Sequence, residues 1–167
     1  MANLMDYMEW RGDLDFARDP WNHVDALALA NLCYLDFEGV SDERGWTLAE
    51  AEKRELNQAS PVTNYEGRHK QFQAMAGTTR FGSIRMHHFL SLTDEERELQ
   101  FSATCYDLPD GTLCIGFRGT DGTFVGWRED FNMAYLAETP GQAEAAAYLD
   151  VRRRRYYDKK LVRQGFQ

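Results

Sequence analysis

A chain of 167 residues, 43% hydrophobic and 13% aromatic, has the size and composition of one folded domain, which excludes a disordered linker. The formal net charge of −8 argues against nucleic-acid binding by the main body, and no run of about 18 apolar residues offers a transmembrane helix. The charge is unevenly spread: residues 151–167 hold seven of the 19 Lys+Arg and one of the 27 Asp+Glu, net +6, which leaves −14 on residues 1–150.

The N-terminus, "MANLMDYMEWRGDLD", lacks a basic start followed by an apolar stretch, so no signal peptide is expected. Cys33, Cys105 and Cys114 are odd in number and have no Cys-x-x-Cys spacing. That predicts free thiols in a reducing, cytoplasmic setting, with no zinc site and no cofactor.

In chain order, Asn3 to Trp10 reads as a short amphipathic helix ending near Gly12. "DPWNHVDALALANLCYLDF" reads as a stronger helix, capped by Asn22, with Asp25 in the first turn complementing the helix dipole. Val24, Leu27, Ala28, Leu32 and Leu35 share its expected buried face, which Leu29, Cys33 and Phe37 widen. "TLAE" at 47–50 is a capping box, predicting a helix to about Leu56. A loop follows, then a helix from Glu66 to Met75 ending before Gly77. "RFGSIRMHHFL" reads as a short strand, on which His87 and His88 would point to opposite faces and so would not share a metal.

The clearest local signal is a hairpin. Phe101, Ala103 and Cys105 alternate with polar residues, Pro109-Asp110-Gly111 turns the chain, and Leu113, Ile115 and Phe117 alternate again. Cys105 and Cys114 then lie nearly opposite each other, as free thiols or as a disulfide. "EERE" at 95–98 is a solvated turn. "VGWREDFNMAYL" predicts a helix or half-helix with Trp127 and Phe131 as core residues, and an Ala-rich helix follows with Pro140 near its first turn. Helices around a hairpin fit either an α/β sheet with further strands beyond residue 167 or an α+β domain.

The chemistry-bearing stretch is "CIGFRGT". Arg118 carries a permanent forked donor and calls for a carboxylate or carbonyl. Gly119 permits a tight turn without a Cβ. Thr120 offers a backbone N–H and a hydroxyl at a strand's carboxyl end, the place where ligands bind in open α/β sheets. Such rigid donors suit a developing oxyanion. Asp130, three residues after Trp127 on the predicted helix, is placed to accept from Thr120 or to pair with Arg118. The duller reading is a plain strand end with Arg118 in a structural ion pair.

"IGFRGT" followed by Trp-x-x-Asp resembles the oxyanion loop of class-three lipases, which are α/β hydrolases. The longer pieces "YMEWRGDLDF", "DALALANLCYLDFEGV", "RFGSIRM", "DEERELQFSATCYDLPDGTLCIGFRGTD" and "GWREDFNM" resemble the N-terminal half of the bacterial, lipase-like Mbeg-like family. The resemblance covers roughly residues 3–150. It implies an α/β class: a partial α/β-hydrolase fold of N-terminal helices, a β-hairpin and following helices, occupying residues 1–150. It also implies an ester or acyl substrate, Thr120 as oxyanion donor, Asp130 as its positioner, and Arg118, Gly119 and Asp121 as the rest of the loop.

The sequence departs from that pattern in its nucleophile. No Gly-x-Ser-x-Gly elbow occurs; Ser41, Ser60, Ser83, Ser91 and Ser102, like His23, His69, His87 and His88, all precede the loop, whereas such hydrolases carry Ser, then an acid, then His. The expectation is therefore a chain truncated before its elbow, with 151–167 a basic tail, truncated or read out of frame, and with no catalysis of its own. A strand edge left unpaired would then favour self-association. The alternative, of another class, is a small α+β interaction module whose basic tail binds a protein or an anionic surface.

Overall fold

A computed structural model describes residues 3–40, 43–54, 64–119 and 136–163, the last seven for backbone only. In chain order these form α1 (Leu4–Arg11), α2 (His23–Leu32), β1 (Trp46–Thr47), α3 (Leu48–Glu52), α4 (Tyr65–Ala76), β2 (Arg85–Asp94), β3 (Leu99–Asp107), β4 (Leu113–Phe117) and α5 (Pro140–Arg163).

The four strands form one sheet in the order β1-β2-β3-β4, antiparallel at every pairing. The described residues are thus α+β, where the sequence resemblance led to an α/β expectation. The connections give the reason. Residues 95–98 join β2 to β3 and residues 108–112 join β3 to β4, spans that suffice for hairpins but not for the crossover that parallel neighbours need.

Local chemistry sets the helix starts. Asn3 with Asp6, Asn22 with Asp25, and Thr47 with Glu50 each form a reciprocal capping box, which satisfies amides that have no partner inside the helix. Thr139 and Gln142 exchange the same pair of bonds at the start of α5, where Pro140 occupies the first helical position and loses nothing by lacking an N–H. The helix expected to run to Leu56 ends at Glu52, and α2 ends at Leu32, short of Phe37. The hairpin turn is held by Gly111 N donating to Leu108 O at 2.9 Å, with Gly111 at φ 83°, a backbone setting that glycine adopts without strain.

Helices cover both faces of the sheet. On one, α1 to α4 enclose a core that includes Leu29, Leu32, Phe37, Phe72, Met75, Met86 and Tyr106. On the other, Tyr148 and Ala145 of α5 pack on Leu99, Phe101, Ala103, Cys105 and Ile115. Strand β3 alternates between the two cores, so it is buried on both sides.

The buried face of α2 differs from the one its apolar residues mark out. Val24 and Leu27 are exposed, while Asp25, Ala28, Leu29 and Leu32 are buried. Asp25 turns the helix because Arg80 holds it. Arg80 donates through Nε to Asp25 Oδ1 (2.7 Å) and through Nη2 to Oδ2 (2.6 Å), and both side chains are wholly buried. The guanidinium also donates to the carbonyls of Leu14, Asp19 and Pro20, and Tyr7 OH donates to Asp25 Oδ1 at 3.0 Å. One cation thereby fastens the Leu14–Asp25 stretch to the turn after α4.

Strand β4 comes close to α2 because Gly116 has no side chain: a Cβ there would lie 2.4 Å from Cys33 Sγ and 3.4 Å from the Tyr106 ring. Gly116→Ala is expected to cost about 1–3 kcal/mol by overpacking, read as a lower urea midpoint at unchanged slope. A variant as stable as the parent would show that α2 and β4 are not in contact there.

Candidate functional site

The loop singled out in the sequence begins where β4 leaves the sheet. Arg118 N donates to Ser102 O at 2.9 Å, so the β3–β4 ladder continues one residue past the strand. Arg118 is half-buried and Gly119 exposed. Thr120, Asp121 and Asp130 lie outside the described residues, as do Trp127 and Phe131.

What surrounds the first two loop residues comes from the turn after α2, from α4 and from β3. A Cβ on Gly119 would come within 2.9 Å of the Tyr34 hydroxyl, so any larger residue there must push that hydroxyl aside. Tyr34 is held in turn: the Arg68 guanidinium stacks over its ring at 3.9 Å. Arg68 bonds Asn31 Oδ1, Asn31 bonds Gln71, and Gln71 Nε2 donates to Ala28 O at 3.2 Å. Ser102, whose carbonyl takes the Arg118 N–H, is buried on β3, and its Oγ has no hydrogen-bond partner among the described residues. Tyr34 and Ser102 escaped the sequence reading, because nothing in the local pattern ties either to residue 119.

The cysteines offer no alternative nucleophile. Burial pushes the Cys33 thiol up to about 12, and burial likewise raises Cys105 and Cys114; a reactive thiol needs the opposite shift. All three are free. Cys105 faces Ile115 and Cys114 faces Tyr106 across the hairpin. Cys105 belongs to the core under α5 and Cys114 packs against the other core, so the cross-hairpin disulfide is ruled out by the one-residue offset.

The histidine pair departs from the alternating geometry expected of a strand. His88 has φ 54° and the β2–β3 register shifts between His87 and Leu90. Both rings are buried, and their Nδ1 atoms meet at 2.6 Å. His87 Nε2 lies 3.2 Å from Asp107 Oδ1. Among the described residues, no group of three or more His, Cys, Asp or Glu is arranged to hold a metal ion, and no helix is long and apolar enough to cross a membrane.

No curated protein and no solved structure matches the sequence. A family model described as Mbeg1-like matches residues 75–166, more than half of the chain, from the end of α4 through the hairpin, the Arg-Gly-Thr loop and α5. The chain therefore belongs to the Mbeg1-like family.

Proposed function

We propose that residues 118–121 form the oxyanion loop of a lipase-like serine ester hydrolase and that residues 1–150 are the N-terminal part of its α/β-hydrolase domain. Thr120 is the oxyanion donor, Asp130 positions it, and Arg118, Gly119 and Asp121 shape the loop. Membership of the Mbeg1-like family supports this reading. The observation that carries it is the contact at Gly119, where bare backbone passes the clamped Tyr34 hydroxyl directly after a strand end. Backbone held rigidly at such a point is what a transition-state donor requires.

The 167 residues contain no Gly-x-Ser-x-Gly, so in this reading they do not turn over ester alone. A donor loop without a nucleophile gives little rate. The test is hydrolysis of a short-chain nitrophenyl ester, with fluorophosphonate labelling, on this chain and on one extended with the sequence that follows it in its gene. Turnover and labelling are expected only in the extended chain, and Thr120→Ala there should lower kcat about 10²–10³-fold. An extended chain that neither labels nor turns over would sink the reading, and labelling of the short chain would place the nucleophile elsewhere.

A second reading, an interaction module, rests on α5, where Arg153 and Arg154 face solvent. It predicts binding to anionic vesicles that weakens steeply with salt and is lost when both arginines become glutamine.

A further inference from the structure

The His87–His88 pair has no place in the oxyanion reading, yet the chain holds it in a costly geometry. A non-glycine residue at φ 54° is retained only where its surroundings fix it. Here Phe89 N donates to Val40 O at 2.9 Å, and Tyr148 OH of α5 donates to the His88 carbonyl at 2.6 Å. The bulge turns two neighbouring rings toward each other, beneath the half of α5 that carries Arg152 to Arg155.

The proton count in this pair is constrained. Two Nδ1 atoms at 2.6 Å share one hydrogen: one donates and the other accepts. With His87 Nε2–H toward Asp107, His87 Nδ1 is the acceptor and His88 Nδ1–H the donor. A first added proton can settle on His87, where Asp107 balances it; charging His88 as well leaves two Nδ1–H donors facing each other at 2.6 Å and puts a full positive charge under α5. The groups around that position are Asp107 and Cys105 from β3, Glu43 from the segment before β1, and Tyr148, Arg152 and Arg155 from α5. Arg155 pairs with Glu43 at 3.3 Å, and Arg152 lies over the Tyr148 ring at 4.7 Å with its Nε buried.

We propose that the His87–His88 pair is an acid-operated latch. With His87 charged toward Asp107, proton uptake by His88 sets a like charge against His87, Arg152 and Arg155, breaks the Nδ1 contact and releases α5, from Tyr148 onward, from the sheet. Release uncovers the apolar face on which the Tyr148 ring packs against Phe101 and Phe117, at centroid distances of 6.0 and 6.2 Å. The Coulombic balance supports the direction. Burial first, then Arg152 and His87, hold His88 at about 4 against its ordinary 6.5, with Glu43 opposing. Cys105 and Tyr148 are raised by burial and stay protonated throughout.

The sign follows from linkage. The docked state resists the proton and the released state accepts it near 6.5, so docking is at full strength above that pH and weakens as pH falls toward 4.

The experiment is hydrogen exchange of the 167-residue chain at pH 7 and pH 5, corrected for intrinsic rates. The opening equilibrium of residues 149–156 should rise on the order of twentyfold at pH 5, with β2 and β3 unchanged. His88→Asn keeps a residue that tolerates the left-handed backbone but takes up no proton, so its α5 should open equally at both pH values. Arg152→Met should reduce the rise. An unchanged chain with no rise overturns the latch, and so does a His88→Asn variant that rises as much as the parent. Should that variant fail to fold, the imidazole of the unaltered chain decides by NMR titration: a His88 midpoint above pH 6 overturns the proposal.

Discussion

Arg80→Met is expected to remove about 3–5 kcal/mol of stability, because it strips the cation from a carboxylate that has no access to water. Asp25 is wholly buried and receives both arms of the guanidinium. The substitution also abandons the Leu14, Asp19 and Pro20 carbonyls that Arg80 satisfies. A loss of that size is a large fraction of the 5–15 kcal/mol that holds a typical domain. Urea unfolding measures it. Arg80→Met with Asp25→Leu should recover part of the loss, since the orphaned charge goes too, and a double-mutant cycle isolates the coupling. A single-variant loss below about 1 kcal/mol would mean that the N-terminal segment is not anchored at Arg80.

Tyr148→Ala should cost about 3–5 kcal/mol, the range for emptying a buried aromatic site. Tyr148 is the main apolar anchor of α5, with its ring between Phe101 and Phe117 and its hydroxyl on the His88 carbonyl. Tyr148→Phe keeps the ring and loses only the hydroxyl, for about 1 kcal/mol. The two variants separate packing from hydrogen bonding. Circular dichroism should show loss of helix in Tyr148→Ala while the sheet persists. If both variants match the parent in urea, α5 does not dock on this face.

The parts of the fold that could be read from sequence are those decided within four or five residues. The caps at Asn22 and Thr47 depend on residues three positions apart, and Pro-Asp-Gly dictates its own turn. The parts that could not be read depend on a distant partner. Asp25 looks like a dipole-compensating first-turn acid, and only Arg80, 55 positions on, makes it a buried counter-ion. That partner is also why the buried face of α2 leaves Val24 and Leu27 outside. The offset of Cys105 from Cys114 is set by the length of the hairpin loop, and a one-residue error there reverses the facing of every side chain. The facing rings of His87 and His88 come from a single left-handed residue in a strand, which alternation cannot foresee. At the candidate site, Arg118 and Gly119 were marked by the glycine and the strand end, whereas Tyr34 comes from 85 positions earlier in the chain.

The strand order β1-β2-β3-β4 is also the order of synthesis. As the chain leaves the ribosome, each strand finds its neighbour already made, and none has to be inserted between two that came before it. The helices that cover one face are complete before β2 emerges, so the growing sheet has an apolar surface to condense on from its first long pairing. Among the described helices, only α5 arrives after all four strands. Until it does, Phe101 and Phe117 stand open to the first partner that reaches them, and the nascent chain is most exposed to chaperones and to its own copies in that interval.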